Sequence, residues 1–257
     1  MPKKIIILSD LHLWGAEDPL YRALLKFNTS KLQSGDQLFI VGDLFDLFIG
    51  NKAVFANRFA ELIAQFRAFE STGVEVHYIE GNHDFHLEGL FEDCPHVKIY
   101  ADQMNFEWDG RRFHFNHGDK INWKDFGYQA FRLFTRNLLT QCLIEALPGT
   151  WVDRIGTKMS KTSRGYHVAP TDNTVQLFRN YACEQISNGF DFVIMGHSHH
   201  LEDIRFRVEN HEGQYVNVGY PRKHKKYLEL LEGQKFFELK SWDDLLAPLR
   251  PSPVNQD

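Results

Sequence analysis

Five short apolar runs in this chain each end on residue types that ligate metals, and that recurrence constrains the fold more than anything else in the sequence. Ile5–Leu8 leads into Ser9-Asp10, with His12 just beyond, and Gln37–Val41 closes on Gly42-Asp43. Val74–Ile79 closes on Gly81-Asn82-His83-Asp84, Arg112–Asn116 on His117-Gly118-Asp119, and Phe190–Met195 on Gly196-His197-Ser198-His199. Each run is rich in β-branched or aromatic residues and bounded by turn formers, the pattern of a buried strand. Between them, Leu20, Leu24, Leu25 and Phe27 recur at helical spacing within 18–32. Phe55, Phe59, Leu62, Ile63, Phe66 and Phe69 mark one face of a second helix, and Thr171–Asn188 reads as a third, capped by Thr171 or Asp172 and stopped by Gly189. Strand, helix, strand, helix, strand predicts an α/β sandwich with part of its sheet parallel.

Other segments complete the layout. Asp109-Gly110, flanked by Asn105–Trp108 and Arg112–Asn116, predicts a hairpin. From Lys124 to Gly165 the chain turns helical and strongly apolar, with Phe126, Tyr128, Phe131, Phe134, Leu138, Leu139 and Leu143 ahead of Pro148-Gly149, then Trp151, Ile155 and Met159. Several short strands are expected between Ile204 and Leu239. Residues 1–245 read as one domain with a helical insert at about 124–165, and 246–257 as a loose tail.

Composition narrows the setting. Lys and Arg number 29 against 34 Asp and Glu, a formal charge of -5 that excludes a general nucleic-acid coat and leaves room for a local phosphate-binding patch. Cys94, Cys142 and Cys183 lack zinc-type spacing and suit a reducing compartment. The first apolar run stops after four residues, too short for the core of a signal peptide, and no stretch approaches the ~20 apolar residues of a membrane span. A soluble, cytoplasmic protein is expected.

Seven donors lie just past strand ends, where ligand sites gather in open α/β folds: Asp10, His12, Asp43, Asn82, His117, His197 and His199. Two carboxylates and four imidazoles without a thiolate suit Mn²⁺, Fe²⁺ or Zn²⁺ better than Ca²⁺ or Mg²⁺. Two carboxylates also leave a pair of bound dications with net positive charge, ready for a phosphate. Taken singly, Asp-x-His is most often a turn beside a surface histidine, and Gly-Asp a plain turn. Five such motifs, each behind an apolar strand, do not reduce to core packing.

This motif set resembles the calcineurin-like metallophosphoesterases, over residues 5 to about 220. The resemblance implies an αββα sandwich with an inserted helical cap and two divalent metal ions, Mn²⁺ foremost, with Fe or Zn as alternatives. It places one ion on Asp10, His12, Asp43 and His199, and the other on Asp43 (bridging), Asn82, His117 and His197. Ions ~3.5–4 Å apart would activate water for in-line attack on phosphorus. His83 would meet the substrate phosphate as the catalytic group that steadies charge or protonates the leaving oxygen. Asp46 and Asp84 would orient ligand histidines or cap helices.

Outside the metal motifs, Gly118-Asp119, Asp125, Tyr128-Gln129-Ala-Phe131-Arg132, Asn137-Leu138 and Ala146-Leu147-Pro148 resemble the UDP-2,3-diacylglucosamine diphosphatases of lipid A synthesis. That likeness implies acyl chains held by the helical cap, and substrate contacts from Asn82, His83, Asp125, Tyr128, Arg132, Ser163, Arg164 and His197. Arg154, Lys158 and Lys161 form a basic stripe beside Trp151, Ile155 and Met159, suited to an amphipathic lipid or to the cytoplasmic face of the inner membrane. A core helix with a solvated basic face would carry the same pattern. The chain departs from these diphosphatases at His83, where they carry Arg, around His167 and Pro170, and in the basic run Gly219–Lys226. Two other readings follow: a phosphodiesterase or phosphomonoesterase on a soluble nucleotide or phosphoprotein, and a non-catalytic scaffold on the same fold.

Overall fold

The computed structural model describes residues 2–165 and 171–243, with the backbone alone described for 159–165. In chain order the strands are β1 (Lys4–Leu8), β2 (Gln37–Val41), β3 (Phe48–Ile49), β4 (Glu75–Ile79), β5 (Asp84–Phe85), β6 (Val97–Tyr100), β7 (Gln103–Trp108) and β8 (Arg111–Asn116). They continue with β9 (Phe192–Met195), β10 (Glu202–Val208), β11 (His211–Asn217), β12 (Lys226–Leu231) and β13 (Glu238–Ser241). The helices are α1 (Pro19–Lys31), α2 (Ala53–Arg58), α3 (Ala60–Thr72), α4 (Phe126–Arg136), α5 (Leu138–Ala146), α6 (Gly149–Gly165), α7 (Asp172–Ser187) and the single turn α8 (Pro221–His224).

Two sheets stack face to face. The first has the order β13-β12-β1-β2-β4-β6 and the second β10-β11-β9-β8-β7, while β3 and β5 form a separate two-stranded pair. Alternation along each strand decides the layers. Ile5, Ile7, Phe39, Val41 and Ile79 of the first sheet meet Phe113, Phe115, Phe192, Ile194 and Val216 of the second. The intervening Ile6, Leu8, Leu38, Ile40, Val76 and Tyr78 face the layer of α1 and α3. On the far side, Phe178, Ala182 and Ile186 of α7 cover Val193, Met195 and Tyr215. The result is the αββα sandwich implied by the resemblance to calcineurin-like metallophosphoesterases.

Local chemistry sets the helices. Asp18 accepts from the Leu20 amide at 3.0 Å with Pro19 in the first turn, so α1 starts there. The expected Phe55–Phe69 helix is instead two, because Phe59 leaves helical geometry at φ -118, ψ 24. Its ring packs within 4.4 Å of the Phe45 ring and 6.1 Å of Tyr21, so core packing overrides a continuous helix. The helical insert is likewise divided into α4, α5 and α6. Asp125 caps α4 through the Tyr128 amide and Asn137 caps α5 through Thr140, so new helices begin inside one apolar pattern. Strand β6, which the sequence reading did not single out, pairs in parallel with β4 at the sheet edge, and its Val-Lys-Ile-Tyr composition is too mixed to mark a buried run. The tail 246–257 lies outside the described residues. Among the described residues no helix is long and apolar enough to cross a membrane.

Candidate metal centre

Parallel register brings the donors together. Leu8 pairs with Ile40 and Val41 with Ile79 in the first sheet, and Asn116 pairs with Met195 in the second, so five strands finish close together. Backbone bonds then knit the loops past the strand ends: Asp10 N–H to Gly42 C=O at 3.1 Å, His12 N–H to Asp43 C=O at 3.0 Å, and Gly196 N–H to His117 C=O at 3.1 Å. A Cβ on Gly81 would stand 2.1 Å from an Asp43 carboxylate oxygen, and one on Gly196 would stand 2.4 Å from Asp10 Oδ2. Those motif glycines are there because the loops approach too closely for a side chain.

The backbone is strained where the donors sit. Nine non-glycine residues have positive φ among the described residues, and five of them are Asp10, His12, Asp43, His197 and His199. Left-handed backbone costs energy for such residues and concentrates at functional sites, so this clustering marks the loops as built for their side chains.

The donors converge into three overlapping groups, Asp10-His12-His199, His12-Asp43-His83 and Asp43-His117-His197, the candidate ligand atoms in each lying within 4.8 Å of one another. Asp43 belongs to two of them, as a bridging carboxylate would. Its Oδ2 stands 3.7 Å from His12 Nε2 and 3.5 Å from His117 Nε2. His12 and His199 bring their Nε2 atoms to 3.1 Å, and Asn82 Oδ1 lies 3.2 Å from His117 Nε2 and 2.9 Å from His197 Nδ1. His117 donates its other ring N–H to the Val41 carbonyl at 2.9 Å, the outer contact that fixes a metal-bound imidazole.

Electrostatics agree with that reading. Burial alone would lower His117, but Asp43, Asp10 and Asp119 hold its pKa at about 10. Burial drives His12 down to about 3 and, with the His117 charge beside it, His197 to about 4. Burial favours a protonated Asp43, yet the surrounding imidazoles keep its carboxyl well below the usual range. Two ionised carboxylates therefore recruit positive charge in a largely buried site, and the acceptor-rich donor set fits divalent cations.

Among the described residues Asp84 orients no histidine and caps no helix. Its carboxylate accepts from the amides of Asp43, Phe45 and Gly81 at 2.9–3.1 Å and from the Tyr78 hydroxyl at 2.6 Å, which pins two donor loops together. The backbone carbonyl of Asp46 accepts from His83 Nδ1 at 2.9 Å.

A cavity of about 590 Å³ opens beside the centre. Asn82, His83 and Tyr128 stand among its lining, with Phe85, Phe131, Phe134, Leu143, Ile144, Val152 and Ile155 making it apolar. The expected substrate-contact residues divide. Tyr128 lines the cavity and its hydroxyl bonds Asp119 at 3.2 Å, whereas Asp125 is the cap of α4 and is not in the lining. Arg132 is engaged by Asp119 and Asp102 rather than turned into the cavity. The side chains of Ser163, Arg164 and the end of the basic stripe, with residues 167 and 170, lie outside the described residues. Two residues of the basic run 219–226, which the sequence reading marked only as a departure, touch the centre. Tyr220 stacks on His199, and Arg222 bonds the His12 carbonyl. Both fall in the basic run 219–226, where charge composition hid the contact.

Comparison with known proteins matches residues 3–201 to the family model for calcineurin-like phosphoesterases. A UDP-2,3-diacylglucosamine hydrolase of Nitrosococcus oceani is 28% identical over 82% of this chain and 85% of its own. One from Serratia proteamaculans is 27% identical over 83% of this chain and 89% of its own. A solved archaeal phosphodiesterase aligns with 93% of this chain and 99% of its own at 16% identity and a TM-score of 0.46, too distant to add to the assignment. The matched stretch contains all five strand ends and every donor gathered there: the chain belongs to the calcineurin-like phosphoesterase family and is a metal-dependent phosphoesterase.

Proposed function

We propose that this phosphoesterase hydrolyses the diphosphate of UDP-2,3-diacylglucosamine, giving UMP and 2,3-diacylglucosamine 1-phosphate. The observation that carries the proposal is the apolar cavity that shares Asn82 and His83 with the donor cluster, because a phosphate seated at the cluster places an attached acyl group among Phe85, Phe131, Phe134 and Leu143. The relatives named for that substrate support the same reading.

In this reading Asp10, His12, Asp43 and His199 hold one cation and Asp43, Asn82, His117 and His197 the other, with Mn²⁺ as the preferred ion. When bound, the cations supply positive charge against the phosphoryl oxygens and acidify water to a nucleophile. His83 Nδ1 is committed as a donor to the Asp46 carbonyl, so it is the doubly protonated ring, with a second proton on Nε2, that would give a proton to the leaving oxygen. Asp119 holds Tyr128 against the His197 ring, 6.0 Å away, and so shapes the junction between cluster and cavity.

The helical insert α4–α6 is a cap in this reading, and its outer face meets the cytoplasmic surface of the membrane. Leu133, Leu138, Leu139 and Trp151 are strongly exposed there without lining the cavity. Residues 124–165 carry seven Lys and Arg against three Asp and Glu, in a chain whose overall charge is -5. Exposed apolar side chains with a local basic excess suit an anionic lipid surface.

His83 favours a second reading, a phosphodiesterase on a soluble nucleotide, since an imidazole can assist a poor leaving alkoxide. Mn²⁺-dependent release of UMP from UDP-2,3-diacylglucosamine, measured beside a chromogenic phosphodiester, separates the two. Selective UMP release is expected, and turnover of the diester alone would discard the lipid substrate.

A further inference from the structure

The turn after β11 reaches the donor cluster from outside the 3–201 stretch that matches the family model. Arg222 forks onto Asp18, Nη1 to Oδ1 at 3.1 Å and Nη2 to Oδ2, and Nη2 also donates to the His12 carbonyl at 2.7 Å. Asp18 is fully buried and additionally accepts from the amides of Trp14 and Leu20, so it is a fixed post rather than a mobile surface acid. His12 is thus held on both sides of a left-handed backbone, its N–H by the Asp43 carbonyl and its C=O by Arg222, at φ 47. Two positions earlier, the Tyr220 ring lies parallel to His199 at 10° with centroids 4.7 Å apart, and edge-on to His12 at 6.0 Å. The Tyr220 amide donates to His224 Nδ1 at 2.9 Å, which closes the turn. His117, Asn82 and His197 are held differently, by one another and by the Val41 carbonyl.

We infer that Tyr220 and Arg222 are positioning residues for His12 and His199, and that they set the affinity of the cation position built on Asp10, His12 and His199 ahead of the one built on Asn82, His117 and His197. The inference rests on the two-cation reading above. A lysine at 222 keeps the charge opposite Asp18 but has no fork with which to hold both the carboxylate and the His12 carbonyl. Outer contacts of this kind are worth roughly 10- to 100-fold in metal affinity.

The test is calorimetric titration of the chelator-treated full chain with Mn²⁺. Wild type binds two Mn²⁺ per chain, and fewer than two would overturn the two-cation reading and this inference together. Arg222→Lys and Tyr220→Ala weaken one binding step by about 10- to 100-fold and leave the other within about twofold. In an Asn82→Ala background, the surviving step is the one that Arg222→Lys weakens. Both steps weakening alike, neither moving, or the surviving step ignoring Arg222→Lys would overturn the inference while leaving two cations in place.

Discussion

The donor cluster and the helical insert are neighbours built on opposite principles. At the cluster, Asp10, His12, Asp43, His83 and His117 are buried, the loops are strained into left-handed backbone, and glycines let peptide planes pass within contact distance. In the insert, α4 buries no residue, and Leu133 and Leu139 are 74% and 83% exposed. Strain and burial are spent where atoms must be placed to a fraction of an ångström. In the proposed reading, exposed apolar surface persists where the insert would meet an apolar ligand or lipid. The insert is nonetheless pinned: Arg58 pairs with Asp153 at 2.9 Å, Lys52 bonds the Glu145 and Leu147 carbonyls, and Arg136 bonds Glu80.

The largest expected effect breaks the cluster side of this contrast. His117→Ala removes a fully buried donor and is expected to abolish turnover of every phosphoester, whereas His77→Gln, between Gln37 and Tyr100 in the core, leaves turnover near wild type at a temperature where both variants are folded. Comparable activities for the two would remove the donor cluster from the chemistry.

On the insert side, Phe134→Ala trims the cavity wall without touching a donor. The loss of one apolar contact surface, about 1.5–3 kcal/mol, lowers kcat/KM for the diacyl substrate by about 10- to 100-fold and leaves a small chromogenic diester unchanged. Equal losses on both substrates would mean that the insert shapes the centre rather than the lipid site. A smaller effect belongs to the outer face: Leu138→Ser with Leu139→Ser should reduce sedimentation with anionic vesicles a few-fold while solution turnover of the diester holds. Unchanged sedimentation would detach that face from the membrane.

The smallest effect concerns stability. Burial holds His77 and His114 at about 4, below the ordinary 6.5. The unfolded chain takes up these protons as pH falls through about 6.5, whereas the folded chain resists until about 4. Their contribution is therefore complete above pH 6.5 and is lost between 6.5 and 4. Thermal melts across that window should show a shallower acid loss in the His77→Gln, His114→Gln double variant than in wild type. Parallel curves would contradict the assignment.

The same contrast explains what the sequence could disclose. Each of the seven expected donors follows its own strand by one to four residues, so local pattern singled them out, and parallel register brings them together. Asp84 was visible as a residue, but its use as a tie between loops depends on Asp43 and Phe45, some forty positions away. Tyr220 and Arg222 were obscured by the lysines around them, since partners about twenty to two hundred positions away leave no periodicity. Asp125 followed the same logic in reverse: the family resemblance implied a ligand contact, and the adjacent helix start holds its Oδ1.

The most direct test of the central claim is an anomalous-difference map from crystals of the full chain grown with Mn²⁺. Two peaks are expected on either side of Asp43, one among Asp10, His12 and His199 and the other among Asn82, His117 and His197. A single peak, or manganese bound away from Asp43, would contradict a two-cation centre and the hydrolytic account built on it.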